Sequence, residues 1–188
     1  MVRWAALAFT VVVAVLVVFA LSPDARATVP ASAIELRSAE LTLYPQSDPD
    51  AVWYFTAPTA AYFPDRQETT LQEVRDGRRT VDGATDFTLT ADSVTIDRSD
   101  NLRGEWMHAH LVEDDLDLDM RAKGSRSVLI DQRAGRFEVP HAVMTGPDLG
   151  ESVFEDMRIS FDFTEFEAGG PGTVGYAQLV VDSPRRNP

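Results

Sequence analysis

The three histidines are the residues of this chain whose type and spacing could bind a metal ion. His108 and His110 are two positions apart, so on a β-strand their side chains share one face, and His141 could complete a site with them. The spacing supplies no carboxylate or fourth ligand, and the pair lies inside a regular strand pattern. We therefore interpret the histidines as surface or strand-edge residues and predict no metal site and no cofactor.

An acidic run from Glu113 to Asp119 suggests calcium as a second possibility. A calcium loop of the EF-hand type needs a central glycine and a distal bidentate glutamate, and the run has neither. Leu116, Leu118 and Met120 alternate with the acids at the period of a strand. The pattern therefore indicates that the acids are the solvent-facing side of a strand whose other side is apolar.

Catalytic motifs are missing from the sequence. It contains no G-x-S-x-G nucleophile elbow and no P-loop or dinucleotide-binding fingerprint. It also contains no cysteine, which excludes disulfides, thiolate metal ligands and cysteine nucleophiles. We predict that the protein is not an enzyme, and a pocket in which the histidines converge with carboxylates would reopen that alternative.

The charge balance limits the partners. The chain carries 17 basic and 30 acidic residues, which gives a formal charge of -13. Proteins that bind nucleic acid need a basic face to neutralise phosphates. Nucleic acid is therefore not an expected partner.

The N-terminal region predicts a membrane anchor. Residues 4–21 contain no charge, and as a helix they would span about 27 Å, close to the hydrocarbon thickness of a bilayer. Arg3 precedes them, so the positive-inside rule puts residues 1–3 in the cytoplasm. The alternative is a cleaved signal peptide with its site at 25–27, although the apolar segment is longer than such peptides need.

In both cases the rest of the chain is exported. With a retained anchor, the protein is a single-pass inner-membrane protein whose bulk lies in the periplasm. Residues 22–33 are small or proline-rich and predict a linker. Residues 34–183 would form the periplasmic domain, and 184–188 a disordered tail.

Residues 34–183 alternate apolar and polar side chains at period two in many short runs, which predicts β-strands. Asp76-Gly77 and Asp82-Gly83 predict tight turns, and Pro58 and Pro64 would bound a less regular link. Many short strands with frequent turns predict an all-β sandwich, jelly roll or barrel.

A change of phase near Asp92-Ser93 predicts a bulge in the strand that begins at Phe87. Glu151 to Arg158 could pass for a short helix, but the alternation that follows favours a strand.

One short sequence motif recurs along the domain. Residues 94–97, 128–131 and 159–162 each place two apolar residues on one strand face and end in an acid. The three acids, Asp97, Asp131 and Asp162, are 34 and then 31 residues apart. The spacing is consistent with a repeated supersecondary unit, and chance recurrence in a β-rich chain is the alternative.

The stretch from Phe87 to Asp97 resembles the "apolar-x-A-D-x-apolar" step that begins a repeat in the LptC/OstA-like family of lipopolysaccharide-export proteins. Met120 to Lys123, followed by Val128 to Asp131, gives a degraded echo of the same step. The resemblance in sequence covers residues 87–146. The order of stub, anchor, linker and β-domain is also similar to that of the membrane-anchored members.

The resemblance implies an open, twisted β-jelly roll of antiparallel strands, with an apolar groove between two sheet layers. Lipid acyl chains of a lipopolysaccharide-like molecule would lie in the groove. Partners would be the membrane subunits of an ABC transporter and a soluble β-jelly-roll bridge protein, joined by edge-to-edge strand pairing. The acidity of the chain would disfavour an anionic headgroup close to the sheet rims.

Strand parity selects the residues that would line such a groove. The groove candidates are Leu89, Val94, Ile96, Trp106, Leu116, Leu118, Val128, Ile130, Phe137 and Val139. The alternative function is an anchored β-sandwich scaffold that binds an envelope protein or polysaccharide, and a closed, fully packed core would favour it.

Overall fold

The structure is a computed structural model that describes residues 33–147 and 150–169 together with the backbone of residues 177–180. The described ranges form twelve β-strands and contain no helix, so the predicted all-β class is confirmed. The strands are β1 Ile34–Leu43, β2 Ala51–Phe63, β3 Glu68–Val81, β4 Ala84–Ile96, β5 Leu102–Gly104, β6 Trp106–Leu111, β7 Leu116–Arg121, β8 Val128–Asp131, β9 Arg136–Gly146, β10 Gly150–Ser160, β11 Glu165–Ala168 and β12 Ala177–Val180.

The strands lie in the sheet almost in the order of the chain. All pairings are antiparallel; β1 to β4 are successive neighbours, and so are β9 to β12. Between β4 and β9 lie two pairs of short strands, β5 with β8 and β6 with β7. The pairings β4–β5–β8–β9–β7–β6–β4 therefore form a closed ring of six strands.

The ring arises from two interrupted strands. β5 and β6 pair with β4 in one continuous register, because Ile96 lies opposite Leu102 and Phe87 lies opposite Leu111. They are thus two parts of one strand that is interrupted at Glu105. On the opposite side, β7 and β8 both pair with β9, and residues 122–127 leave the sheet between them. We call residues 122–127 the excursion.

A line of irregular positions, which we call the crease, crosses the sheet from β1 to β10. Three of these positions have the positive φ values that side chains other than glycine rarely adopt, 54°, 52° and 51°. Two others are prolines, which lack a backbone N–H for the ladder. The registers place neighbouring members opposite one another or one residue apart. In strand order the crease consists of Ser38, Pro58, Glu73, Asp92, Glu105, the excursion, Pro140 and Asp156.

The strands change their buried face at the crease. In β4, Leu89 and Ala91 are buried before it and Val94 and Ile96 after it. The same change of parity occurs in β2, β3, β9 and β10. Each long strand therefore bends at the crease and contributes to two layers. The front layer contains residues 39–57, 74–91, 106–121 and 141–155; the back layer contains 34–37, 59–72, 93–104, 128–139 and 157–160.

The two layers share one hydrophobic core. Phe87 of the front layer contacts Phe137 of the back layer and Phe161, which follows β10; the Phe87 and Phe137 ring centroids are 5.1 Å apart. The sheet is thus folded along the crease, with its apolar face inside.

The recurring acids close turns of the back layer. Asp97 accepts hydrogen bonds from the backbone N–H of Ser99 and Asn101, and Asp131 accepts them from Arg133 and Ala134. Side-chain oxygens that accept from nearby backbone stabilise such turns. The motif therefore marks the ends of β4, β8 and β10.

The structure confirms some of the local predictions from the sequence and contradicts others. The turn at Asp82-Gly83 is confirmed, with φ values of 52° and 82°, and residues 151–158 are confirmed as strand. The turn at Asp76-Gly77 is wrong, because β3 continues through it. The irregular link after Pro58 is also wrong, because β2 bends at that proline and then continues to Phe63.

The predicted stub 1–3, anchor 4–21 and tail 184–188 lie outside the described residues, as does the linker except for residue 33. Within the described ranges, no helix is long and apolar enough to cross a membrane.

Replacing Gly77 by alanine should test the course of β3. An added Cβ would lie 2.8 Å from the carbonyl oxygen of Leu89, and such overpacking lowers the free energy of unfolding by about 1–3 kcal/mol. The neighbouring Asp76→Ala, at an exposed position, should change it by less than about 0.5 kcal/mol. Denaturant unfolding followed by tryptophan fluorescence measures both; equal effects of the two variants would contradict this course of β3.

Candidate functional site

The structure places most of the groove candidates inside the core. Eight of the ten are at most 6% exposed and pack between the layers. Leu116 is partly buried and packs against the same core. The eight buried candidates are Leu89, Val94, Ile96, Leu118, Val128, Ile130, Phe137 and Val139.

Trp106 lies on the outer face of the sheet, where the sequence placed it on the inner face. Its indole N–H donates to a carboxylate oxygen of Asp119 at 2.8 Å, and its neighbour Met107 is the buried residue. The reason is the break at Glu105, which changes the parity within what the sequence presents as one strand. A shift of one residue in the alternation moves a side chain to the other face of the sheet.

Aromatic side chains fill the space between the layers. Trp53 meets Phe87 edge-on with ring centroids 5.2 Å apart, and Phe137 meets Phe161 at 5.2 Å. Trp53, Phe87 and Phe137 are all fully buried. The middle of the fold is therefore a packed interior rather than an open groove.

Polar contacts join the layers at the side opposite the crease, which we call the mouth. The Trp53 indole N–H donates to the Gln132 side-chain oxygen at 3.2 Å. The backbone N–H of Gln46 donates to an Asp100 carboxylate oxygen at 3.2 Å. These bonds tie turns of the back layer to the front layer, so the mouth is closed where they occur.

Arg79 is the buried cation of the mouth. Its guanidinium donates to both Asp48 and Asp86 and lies 4.6 Å from the centre of the Phe161 ring, a cation–π arrangement. Burial of Asp86 raises its pKa, and the opposing pull of the Arg79 charge offsets this only in part. The cation therefore makes an otherwise costly buried carboxylate tolerable.

In the described part of the chain, no element covers the inner face at one end of the fold, beside β1. Ile34 pairs with Tyr62, and Leu36 pairs with Ala60; directly opposed residues share a face, and Ala60 points into the core. Yet Ile34, Leu36 and Tyr62 are 53%, 55% and 39% exposed. We call Ile34, Leu36 and Tyr62 the β1 patch.

β1 is also a sheet edge. Among the described residues it pairs with β2 on one side and with no strand on the other. The sequence marked residues 34–37 as a strand, but no pattern within them signals that their apolar side would stay uncovered. Exposure of this kind depends on where the sheet ends, which a local pattern does not reveal.

The histidines lie on the outer face of the front layer. His108 Nε2 and His110 Nδ1 lie 3.3 Å and 3.1 Å from the same oxygen of Asp117, and His141 Nδ1 lies 3.0 Å from a Glu155 oxygen. His108 and His110 share a face, as predicted. Within the described ranges, no three His, Asp or Glu side chains converge in the way a metal ion requires.

Asp119 of β7 and Glu155 of β10 are partly buried acids that accept hydrogen bonds from neighbouring cations. Burial of Asp119 acts to raise its pKa, but hydrogen bonds from Arg121 and Trp106 outweigh burial and bring the pKa below its ordinary value. Hydrogen bonds from Lys123 and then His141 lower the pKa of Glu155. Both carboxylates are thus stabilised as anions in the folded protein.

Replacing Arg79 by methionine should destabilise the mouth. The change leaves the half-buried Asp86 without its cation, and breaking a buried pair in this way costs about 3–5 kcal/mol in free energy of unfolding. The neighbouring Arg78→Met, at an exposed position, is the matched control and should cost less than about 1 kcal/mol.

Adding Asp86→Asn to Arg79→Met should recover part of the lost stability, because the unpaired charge is removed. The four proteins of this double-mutant cycle are compared by denaturant unfolding. Additive losses would mean that Arg79 and Asp86 do not interact.

Asp119→Asn should lower the free energy of unfolding at pH 7 by about 0.5–1.5 kcal/mol, the typical contribution of a hydrogen bond. Because the folded pKa of Asp119 lies below its ordinary value of 3.8, its contribution is fully present above that value. It is lost as the pH falls through the folded pKa. Unfolding measured from pH 7 down to pH 2 should show the gap between wild type and variant closing; a gap that widens in acid would contradict the assignment.

Comparison with known proteins adds no relative to this geometry. No model of a known protein family matches the chain, and no curated protein matches it in sequence.

Proposed function

We propose that this protein shields or passes lipid acyl chains at the uncovered β1 end of a folded, jelly-roll-like sheet, as one component of a bridge between the envelope membranes. The observation that carries the proposal is the β1 patch, three exposed apolar side chains on the face that is elsewhere the core. Exposed apolar surface of this kind marks interaction sites. The patch continues the packed interior, so a bound chain would lie against Leu36 and Tyr62 and end at the core.

The energetics suit an acyl chain. Each methylene transferred from water to an apolar surface contributes about 0.8 kcal/mol, so several methylenes on the patch outweigh the entropy of holding a short segment. The packed aromatics limit the bound segment to the β1 end while the layers stay together. A longer path would need the layers to separate.

The edge of β1 supports a second element of the proposal. An unpaired strand edge is a template for another strand, and strand addition there would extend both the ladder and the apolar inner face into a neighbour. The partners proposed are the membrane subunits of an ATP-driven transporter and a soluble β-jelly-roll bridge protein. The predicted anchor at residues 4–21 would hold the domain at the inner membrane, on its periplasmic side.

The packed interior favours a second candidate. An anchored β-sandwich that acts only as a scaffold needs no groove, and the closed contacts at Trp53 and Gln132 suit it. In that case β1 would still pair with an envelope protein, and no lipid would touch the patch. The two candidates therefore differ in what lies against Leu36 and Tyr62.

Photocrosslinking in the full chain separates the two candidates. A photoreactive residue at Leu36 or Tyr62, activated in native membranes, should give lipid adducts detectable by mass spectrometry. The same residue at Val153, which is 59% exposed and outside the patch, should give few. Lipid adducts at neither patch position would reject the lipid function and leave the scaffold.

A photoreactive residue at Ile130 tests whether the two layers separate to admit lipid. Ile130 is fully buried, so it should give no lipid adduct if binding is confined to the β1 end. An adduct there as strong as at Leu36 would mean that the layers separate and that lipid passes through the whole fold.

A further inference from the structure

Two neighbouring cavities lie beside the excursion on the outer face of the sheet. One has a volume of about 340 Å³ and is lined by residues of the excursion and of β9 and β10. The other, of about 400 Å³, lies beside β4 and the break at Glu105. Both are lined by Arg103 and Ser127. The 400 Å³ cavity is also lined by Asp92 and Glu105. We therefore give the name depression to the 340 Å³ cavity alone, which lies where the ladder is interrupted.

The depression has a cationic rim in an acidic protein. Arg103, Arg126 and Arg158 line this cavity of about 340 Å³, together with Ser125 and Ser127. The three guanidinium groups come from three separate parts of the chain and are about half exposed, at 47%, 55% and 50%. The fold thus gathers cations at one point of a chain whose formal charge is -13.

The two acids that line the depression, Glu138 and Asp156, are already engaged. Glu138 accepts from Arg136 at 2.9 Å, and Asp156 accepts from Arg126. Arg103 and Arg158 reach their own acidic neighbours only at 3.5 Å and 3.4 Å, longer than a good charge-assisted hydrogen bond. Two guanidinium groups therefore retain much of their capacity to donate to an anion.

We propose that this depression binds a phosphate group, either as the free ion or as a phosphate ester. Arginine forks match the oxygens of a phosphate, and the serine hydroxyls add two further possible donors. The volume lies at the lower end of ligand pockets and suits a phosphate with a small substituent. The site goes beyond the proposed function, because Arg103 and Arg158 lie on the face opposite the core, where their neighbours Leu102 and Ile159 are buried.

Isothermal titration calorimetry of the full chain in a non-ionic detergent tests the site. The probes are inorganic phosphate and sn-glycerol 3-phosphate, each titrated at constant ionic strength. Wild type should bind at least one probe. Arg103→Gln and Arg158→Gln should each weaken binding about tenfold, as the loss of one charge-assisted hydrogen bond implies.

Arg98→Gln, at an exposed turn position outside the cavity, is the matched control and should bind as wild type does. Thermal unfolding checks that all variants are folded. Binding of glycerol 3-phosphate at least tenfold tighter than that of phosphate assigns the site to a headgroup ester, and equal binding assigns it to the free ion. No binding of either probe, or equal weakening by Arg98→Gln, would overturn the proposal.

Discussion

Packing between the two layers is the interaction on which the rest of the structure depends. A single antiparallel sheet of this length would expose one apolar face, and folding it along the crease buries that face against itself. The fold requires each long strand to bend at the same level. Positive φ at Ser38, Glu73 and Asp156 and the missing N–H groups of Pro58 and Pro140 provide the bends.

The sequence predicted what is local. Alternation identified the strands, the many short runs with frequent turns identified the class, and Asp82-Gly83 identified a turn. It failed at Trp106, which follows the break at Glu105. Gly104 was the available signal, because an isolated glycine in a strand often marks a bulge. It also failed at Gly77, which is a glycine because Leu89 lies too close for a side chain, and not because the chain turns there.

The candidate sites were harder to predict than the fold because they depend on long-range placement. The sequence selected apolar residues correctly as inward-facing in most strands, yet could not distinguish a filled interior from an open one. The β1 patch is uncovered only because the sheet ends at β1. Arg103, Arg126 and Arg158 meet only because an excursion opens beside them, and nothing in the spacing of these arginines signals a site.

The order of the strands bears on how such a chain could gain or lose strands by duplication or deletion. Since long strands pair with their neighbours along the sequence, a pair of strands with its back-layer turn is a self-contained unit. The turns that begin at Asp97, Asp131 and Asp162 recur at 34 and 31 residues. Duplication or deletion of one such unit would lengthen or shorten the sheet without rerouting any connection, so related proteins can differ in length by whole hairpins and keep the same cross-section.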